Sequence, residues 1–268
     1  TKSVPKELLP IVDTPTIEYI VREVVSAGIE TLILITGKGK TAIVDHFDLS
    51  MELENKLRKE GKEELAQRLN EQARMLKIIA VRQQQPRGLG HAVLCAQEII
   101  GDEPFAVLLG DDLVDAQVPC TKQMIDVYDN HGKSVVALME VPDEDVSKFG
   151  VCGGKEISPR VLDLNAMVEK PKLSEAPSKL AIVGRYILNP EIFEILANQK
   201  PGKNGEIQLT DAMATLMNKE GFLGYQFEGY RYDAGDKFGY LQANIAYGLK
   251  NPEIAPRLLD YMKDIVKK

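Results

Sequence analysis

Ile17, Ile20, Val21, Val24 and Val25 recur at three- and four-residue spacing, so they form an apolar stripe on one helix face, with Gly28 just past its end. Residues 31–36, TLILIT, are a short continuous apolar run, the pattern of a strand covered on both faces. Residues 51–77 are charge-rich with spaced Met and Leu and predict a solvated helical excursion. A second strand is expected at 78–83, a helix at 92–100, a third strand at 105–109, a helix around 122–128 and a strand at 134–141. Strands separated by helical segments imply crossover units and a mostly parallel sheet. After Pro142 the pattern changes. Residues 150–154 read as a turn-rich stretch, and 161–168 and 180–188 as strands with no helix between them, an antiparallel or mixed addition. Helices are expected around 190–197, 209–219, 237–249 and 254–266. No repeat and no separating linker interrupts the pattern, which predicts one α/β domain over 1–268.

Composition narrows the class. With 268 residues, 44% hydrophobic and 27% charged, the chain can bury a full α/β core. No apolar run approaches the roughly 20 residues that cross a bilayer, and no charged-then-apolar leader opens the chain. We therefore expect a cytoplasmic protein without a membrane partner. A net charge of −7 argues against a nucleic-acid surface. Anionic substrates remain open to an acidic protein that gathers a few Lys and Arg in one cleft. Cys95, Cys120 and Cys152 lie far apart without a CxxC pair, so reduced thiols are expected.

Candidate chemistry sits where strands end. The opening TKSVPKELLP carries Lys2 and Lys6 on a Pro-braced segment; it reads as a solvated arm or as a loop aiming Lys6 at phosphates. QQQPRGLGH at 83–91 follows a strand and opens a helix. Its glycines permit close backbone approach to a ligand, though an ordinary strand-to-helix turn has the same look. Gly37-Lys-Gly39 is read as a structural turn, and His91 as an ordinary satisfied polar group. FAVLLGDD at 105–112 ends a buried strand in two carboxylates, at the sheet edge where open α/β folds bind ligands. Asp111 there suits Mg²⁺, or alternatively caps a following helix. VEKP at 168–171 sets Glu169 beside Lys170; strand neighbours face opposite ways, so the two need not pair. EGYRYDAGDK at 228–237 again ends a strand in carboxylates, with Asp233 available to a metal and Asp236 to a helix cap.

Taken in order, these segments resemble the bacterial UTP–glucose-1-phosphate uridylyltransferases. The resemblance rests on TKSVPKELLPIVDTPTIEYIVREVVSAGIE at 1–30, DHFDLSMELE at 45–54, VRQQQPRGLGHAVLCA at 81–96 and GDEPFAVLLGDD at 101–112. It continues through VSKFGV at 146–151, VEKPK at 168–172, APSKLAIVGRYILNPEIFEIL at 176–196, GEIQLTDA at 205–212 and RYDAGDK at 231–237. The family carries a first strand and a glycine-rich GxGTRxxP loop directly before the segment that opens this chain. The sequence holds neither, and we expect the natural protein to have a further N-terminal stretch.

The resemblance implies a Rossmann-like, mostly parallel mixed sheet flanked by helices, of the nucleotide-diphospho-sugar transferase type. Its mixed-sheet sugar-binding portion would lie at about 142–235 and its C-terminal helices at about 236–268. The implied activity is uridylyl transfer from UTP to glucose 1-phosphate with Mg²⁺ as cofactor, in a homo-oligomer, dimer or tetramer. Lys6 would contact the nucleotide phosphates and Glu7 the nucleoside. Gln83 and Gly88 would read the uracil. Asp111 would ligate Mg²⁺, Asp112 would support the nucleotide side, and Asp233 would complete the metal side. Gly150, Glu169 and Gly184 would meet the glucose hydroxyls, and Lys170 the sugar phosphate. Gln208 and Asp211 match the family without an assigned role. A thymidylyl- or adenylyltransferase of the same fold, and a non-catalytic nucleotide-sugar-binding regulator, are the alternatives.

Overall fold

The computed structural model describes residues 4–67, 76–202 and 205–267. Lys2, and positions 68–75 of the expected helical excursion, lie outside them. Helix Thr16–Ser26 turns Ile17, Ile20, Val21 and Val24 into the core, and the chain leaves it through Gly28 at φ 85°, a left-handed angle that a side chain would strain. Strands Thr31–Thr36 and Lys77–Arg82 pair in parallel. Between them, helix Met51–Lys59 buries no residue, in keeping with its polar pattern.

The main sheet has six strands in the order Phe105–Leu108, Leu180–Leu188, Val135–Glu140, Leu223–Gln226, Val161–Glu169, Gly150–Ser158. The α/β class and the mixed sheet follow expectation, but the pairing is less parallel than the pattern predicted. Strand Leu180–Leu188 runs against both of its long neighbours, because the chain reaches it from the 150–169 hairpin without a helical crossover. Within this sheet the parallel pair is Val135–Glu140 with Leu223–Gln226.

Residues 150–154 are a second correction, since they belong to a nine-residue strand rather than a turn. The glycines there serve close packing: a Cβ on Gly153 would lie 2.9 Å from Pro177, and one on Gly154 2.6 Å from the carbonyl oxygen of Asp163. Asp111 is followed by strand Asp112–Asp115, so it caps no helix. That strand pairs antiparallel with Tyr230–Asp233, setting Asp112 opposite Asp233.

Helices Glu191–Asn198 and Leu209–Glu220 cover one face of the sheet with Ile192, Leu196, Leu209, Met213 and Leu216, all essentially inaccessible. Each such side chain contributes about 1.5–3 kcal/mol of burial. Helix Cys120–His131 covers the opposite face with Cys120, Met124 and Val127. Cys120 and Cys152 are buried free thiols whose pKa is pushed up to about 12 by burial. Among the described residues no helix is long and apolar enough to cross a membrane.

A cavity of about 800 Å³ separates the two ladders. Thr31–Thr36 lines one side and Phe105–Leu108 another, with Ile17, Val21, Val24, Leu89 and Val93 among the apolar residues around them. Among the described residues each of these strands pairs on one edge only. An extended segment laid in the cavity would satisfy both open edges and merge the ladders into one sheet.

Candidate active site

The site gathers at the C-terminal ends of Lys77–Arg82, Phe105–Leu108, Val161–Glu169 and Tyr230–Asp233, as an open α/β sheet dictates. The one-turn helix Lys6–Leu8 brings Lys6 onto Asp111, where their charges pair. Burial alone would lower the Lys6 pKa, but Asp111, Glu7 and Asp233 outweigh it and hold the ammonium above its ordinary range. Glu7 accepts from Lys40 at 2.6 Å through Oε1, while its buried Oε2 has no hydrogen-bond partner among the described residues. Lys40, just after the Gly37–Gly39 turn, was not singled out from the sequence. A Lys beside an ordinary-looking turn gives no warning that it reaches a carboxylate 33 positions away.

Asp111 and Asp233 converge at Gly235. A Cβ there would sit 2.6 Å from Asp111 Oδ2 and 3.1 Å from Asp233 Oδ1. Asp233 is held in place by the N–H groups of Gly235 and Asp236, at 2.9 and 3.2 Å. Asp236 itself caps helix Lys237–Lys250 through Phe238 N and Gly239 N, as one reading of its position expected. Among the described residues no group of three or more His, Cys, Asp or Glu forms a metal cluster. Two hard carboxylates can instead hold a cation that keeps water or phosphate as its other ligands.

Asp112 faces inward. It is 4% exposed, accepts from Gly184 N at 3.0 Å and pairs with Arg231. Burial pushes its pKa up despite the opposing charges of Arg231 and Arg185. Its oxygens are thus committed to framing the site, holding the backbone of Gly184. Arg231 spans Asp112 and Asp233, 3.1 Å from the latter, and its guanidinium lies 5.3 Å from the centre of the Phe149 ring. Behind Gly184, the fully buried Arg185 binds Glu23 at 2.8 Å and donates to the carbonyls of Gly184 and Asp112 at 2.9 and 2.6 Å. The RYI and RYD surroundings of these two arginines give no sign of their ion pairs with Glu23 and Asp112, which are remote in sequence.

The expected sugar side also assembles. Gly150 stands opposite Glu169 across the ladder, and a Cβ on it would lie 3.3 Å from Glu169 Oε2 and 3.2 Å from Thr210 Oγ1. Thr210 donates to that carboxylate at 2.7 Å. Lys170 does pair with Glu169, at 3.7 Å. Strand alternation fails here because Lys170 has left the strand, with φ 44° and its N–H on the Phe149 carbonyl. Gly184 admits no side chain, since a Cβ would lie 2.7 Å from that of Leu109.

On the remaining side, Gln83 donates to Gly88 O at 3.1 Å and lies 2.9 Å from His91 Nδ1. Gly88 has φ 97°, and a Cβ on it would meet the Ile207 carbonyl at 2.8 Å. His91 is a satisfied polar group, as expected, and its partner makes it part of this loop's network. The GEIQLTDA segment now has a physical account. Ile207 exchanges backbone hydrogen bonds with Arg87 and Gly90, and Thr210 three residues later holds Glu169. One short stretch thus braces both the Gln83 loop and the Glu169 carboxylate. Gln208 uses its side chain on Glu206 at 2.8 Å, and burial together with Glu169 raises the pKa of Asp211.

The strand ends thus carry a lysine–carboxylate pair, Lys6 with Asp111, on one side and a carboxylate, Glu169, packed against Gly150 on the other. Residues 1–248 match the nucleotidyl transferase family model, and the chain belongs to that family. Within it, the chain is 48% identical over all 268 residues to a UTP–glucose-1-phosphate uridylyltransferase of Bacillus subtilis, covering 90% of that protein. It is 47% identical over 265 residues to the enzyme of the same name from Staphylococcus epidermidis, with 99% of this chain and 92% of that protein covered. A UDP-glucose pyrophosphorylase solved with UDP-glucose superposes with a TM-score of 0.86 at 44% identity, covering 93% of this chain and 92% of that one. The UTP-bound enzyme of Acinetobacter baumannii gives 0.88 at 38% identity, covering 99% and 92%.

Proposed function

We propose that the chain transfers the uridylyl group of UTP to glucose 1-phosphate, giving UDP-glucose and pyrophosphate. The observation that carries this reading is the near-full-length likeness to uridylyltransferases, supported by the pairing of Lys6 with Asp111 and the fixing of Glu169 by Thr210. A phosphate oxygen of glucose 1-phosphate attacks the α-phosphorus of UTP. As the new P–O bond forms, the bond to the β-phosphate bridging oxygen breaks, and pyrophosphate leaves with that electron pair. An already ionised phosphate needs no general base, so catalysis rests on positioning and charge neutralisation. Lys6 offsets charge on the nucleotide phosphates and Lys170 on the sugar phosphate. Glu169, fixed by Thr210, and the bare backbone at Gly150 and Gly184 orient the hexose. Gln83 and Gly88 hold the base. Asp111 and Asp233 fit Mg²⁺, which when bound supplies charge neutralisation at the gathered phosphates.

We further propose a cytoplasmic homo-oligomer, dimer or tetramer. Its support is the exposed stripe Phe238, Leu241, Ile245 and Leu249 along helix Lys237–Lys250.

The test is pyrophosphate release from UTP and glucose 1-phosphate with Mg²⁺, with dTTP and ATP in parallel. Release that needs both substrates and is strongest with UTP is expected. A preference for another nucleotide, or UDP-glucose binding without release, would overturn the reading. Asp111→Asn should lower turnover by about a hundredfold or more while the protein stays folded. Near-intact activity in that variant would remove Asp111 from the metal site.

A further inference from the structure

The amide of Gln83 is fixed in one orientation by its own neighbours. The Gly88 carbonyl, 3.1 Å from the amide nitrogen, can only accept, so the amide must present N–H to it. The second N–H of the same nitrogen points at His91 Nδ1, 2.9 Å away. That nitrogen then accepts, which places the imidazole proton on Nε2. The Cys95 thiol also approaches Nδ1, but at 4.0 Å it is the weaker contact. Both Gln83 donors are thereby engaged. Its carbonyl oxygen takes no protein donor among the described residues, and neither does the Gly88 N–H find a protein acceptor.

Resting on the reading of Gln83 and Gly88 as the base contacts, we propose that His91 is a positioning residue for nucleobase selection. With the Gly88 carbonyl it turns the Gln83 carbonyl outward, so the loop offers one acceptor and one backbone donor. An imide base, with an N–H beside a carbonyl as in uracil or thymine, complements that pair. Cytosine presents a lone pair at the corresponding ring nitrogen and sets acceptor against acceptor. Without the Nδ1 acceptor the amide loses one of its two locks. The Gly88 carbonyl alone then opposes rotation, so the orientation with NH₂ outward, which donates to the cytosine ring nitrogen, becomes more populated. The two pyrimidines are nearly the same size, so hydrogen-bond polarity rather than shape has to separate them.

The experiment compares kcat/KM for UTP and CTP, with glucose 1-phosphate and Mg²⁺ saturating, in the full chain and three variants. His91→Phe keeps a ring but removes the acceptor, and His91→Asn restores an amide oxygen near the Nδ1 position. Gln83→Leu removes the base contact itself. Expected is a fall of about tenfold in the UTP-over-CTP ratio for His91→Phe, carried mainly by KM for UTP, and recovery to within about threefold of the parent for His91→Asn. Thermal unfolding of each variant separates this from a folding defect, which would lower both substrates together. A His91→Phe ratio within about twofold of the parent, while Gln83→Leu collapses it, overturns the role of His91 alone. A Gln83→Leu ratio equal to the parent's overturns the base-contact reading beneath it.

Discussion

Replacing Arg185 by methionine conserves most of the side chain's length and deletes a guanidinium that is 1% exposed. Among the described residues Glu23, 8% exposed, is then left with only the N–H and hydroxyl of Thr121 as donors, at 3.1 and 2.6 Å. Breaking a buried ion pair by removing one partner costs about 3–5 kcal/mol, because the other charge stays behind without compensation. The carbonyl of Asp112 also loses its donor, while that of Gly184 keeps the Leu109 N–H. We therefore place the Arg185→Met loss at about 4 kcal/mol, a large part of the 5–15 kcal/mol that holds a typical domain. In a chain of this size it corresponds to a fall in Tm of about 8–16 °C. Glu23→Gln keeps an oxygen for Thr121 and removes the second charge, so adding it to Arg185→Met should recover about 2 kcal/mol. Urea unfolding of the parent, both single variants and the double variant closes the cycle. A loss below about 1 kcal/mol for Arg185→Met, or strict additivity in the double variant, would refute the reasoning.

The same pair sets an acid sensitivity. Burial alone would raise the Glu23 pKa, but Arg185 and Thr121 outweigh it, so the folded value lies below the ordinary 4.5. The unfolded chain takes the proton first as pH falls, so the stabilisation is full above about 4.5 and is lost through the lower folded value; Glu23→Gln should flatten that part of a stability–pH curve. Thr210→Val removes the donor that fixes Glu169, a bond to a charged group worth about 1.5–3 kcal/mol. Steady-state kinetics should show kcat/KM for glucose 1-phosphate down by about tenfold or more with KM for UTP unchanged. Gly184→Ala drives a Cβ onto Asp112 and to within 2.7 Å of Leu109 Cβ. It should cost about 1–3 kcal/mol in unfolding and abolish most turnover, since it displaces both the sugar-side backbone and the carboxylate beneath it.

What was legible in the chain was local. The stripe at Ile17–Val24 and the run at 31–36 reflect burial acting within a few residues, and both elements form where their periodicity placed them. Asp111 stood out because a carboxylate just past an apolar strand is an uncommon place to leave a charge, whereas Glu169 gained a role only through the family resemblance. Glycines were ambiguous, because the residue that permits a turn also permits two strands to pack closely; at 153 and 154 the second use prevailed. Strand alternation likewise misled at Lys170, where a left-handed φ outside the strand turns the side chain back toward Glu169.

The residues that stayed hidden share a different property, in that their meaning lies in partners from 33 to 162 positions away. Arg185 is read through Glu23, 162 residues earlier, and Arg231 through Asp112 across a strand pair that neither segment announces alone. Both arginines serve one mechanical need. Asp111, Asp112 and Asp233 sit close together, and left without counter-charges these carboxylates would repel one another. Arg231 ties Asp112 to Asp233, and Arg185 ties Asp112 to Gly184 and helix Thr16–Ser26. Asp112 is the joint between the two, which explains why this carboxylate is buried. The reacting groups stand at strand ends where spacing reveals them, while the groups that hold them in register are contributed across the whole fold.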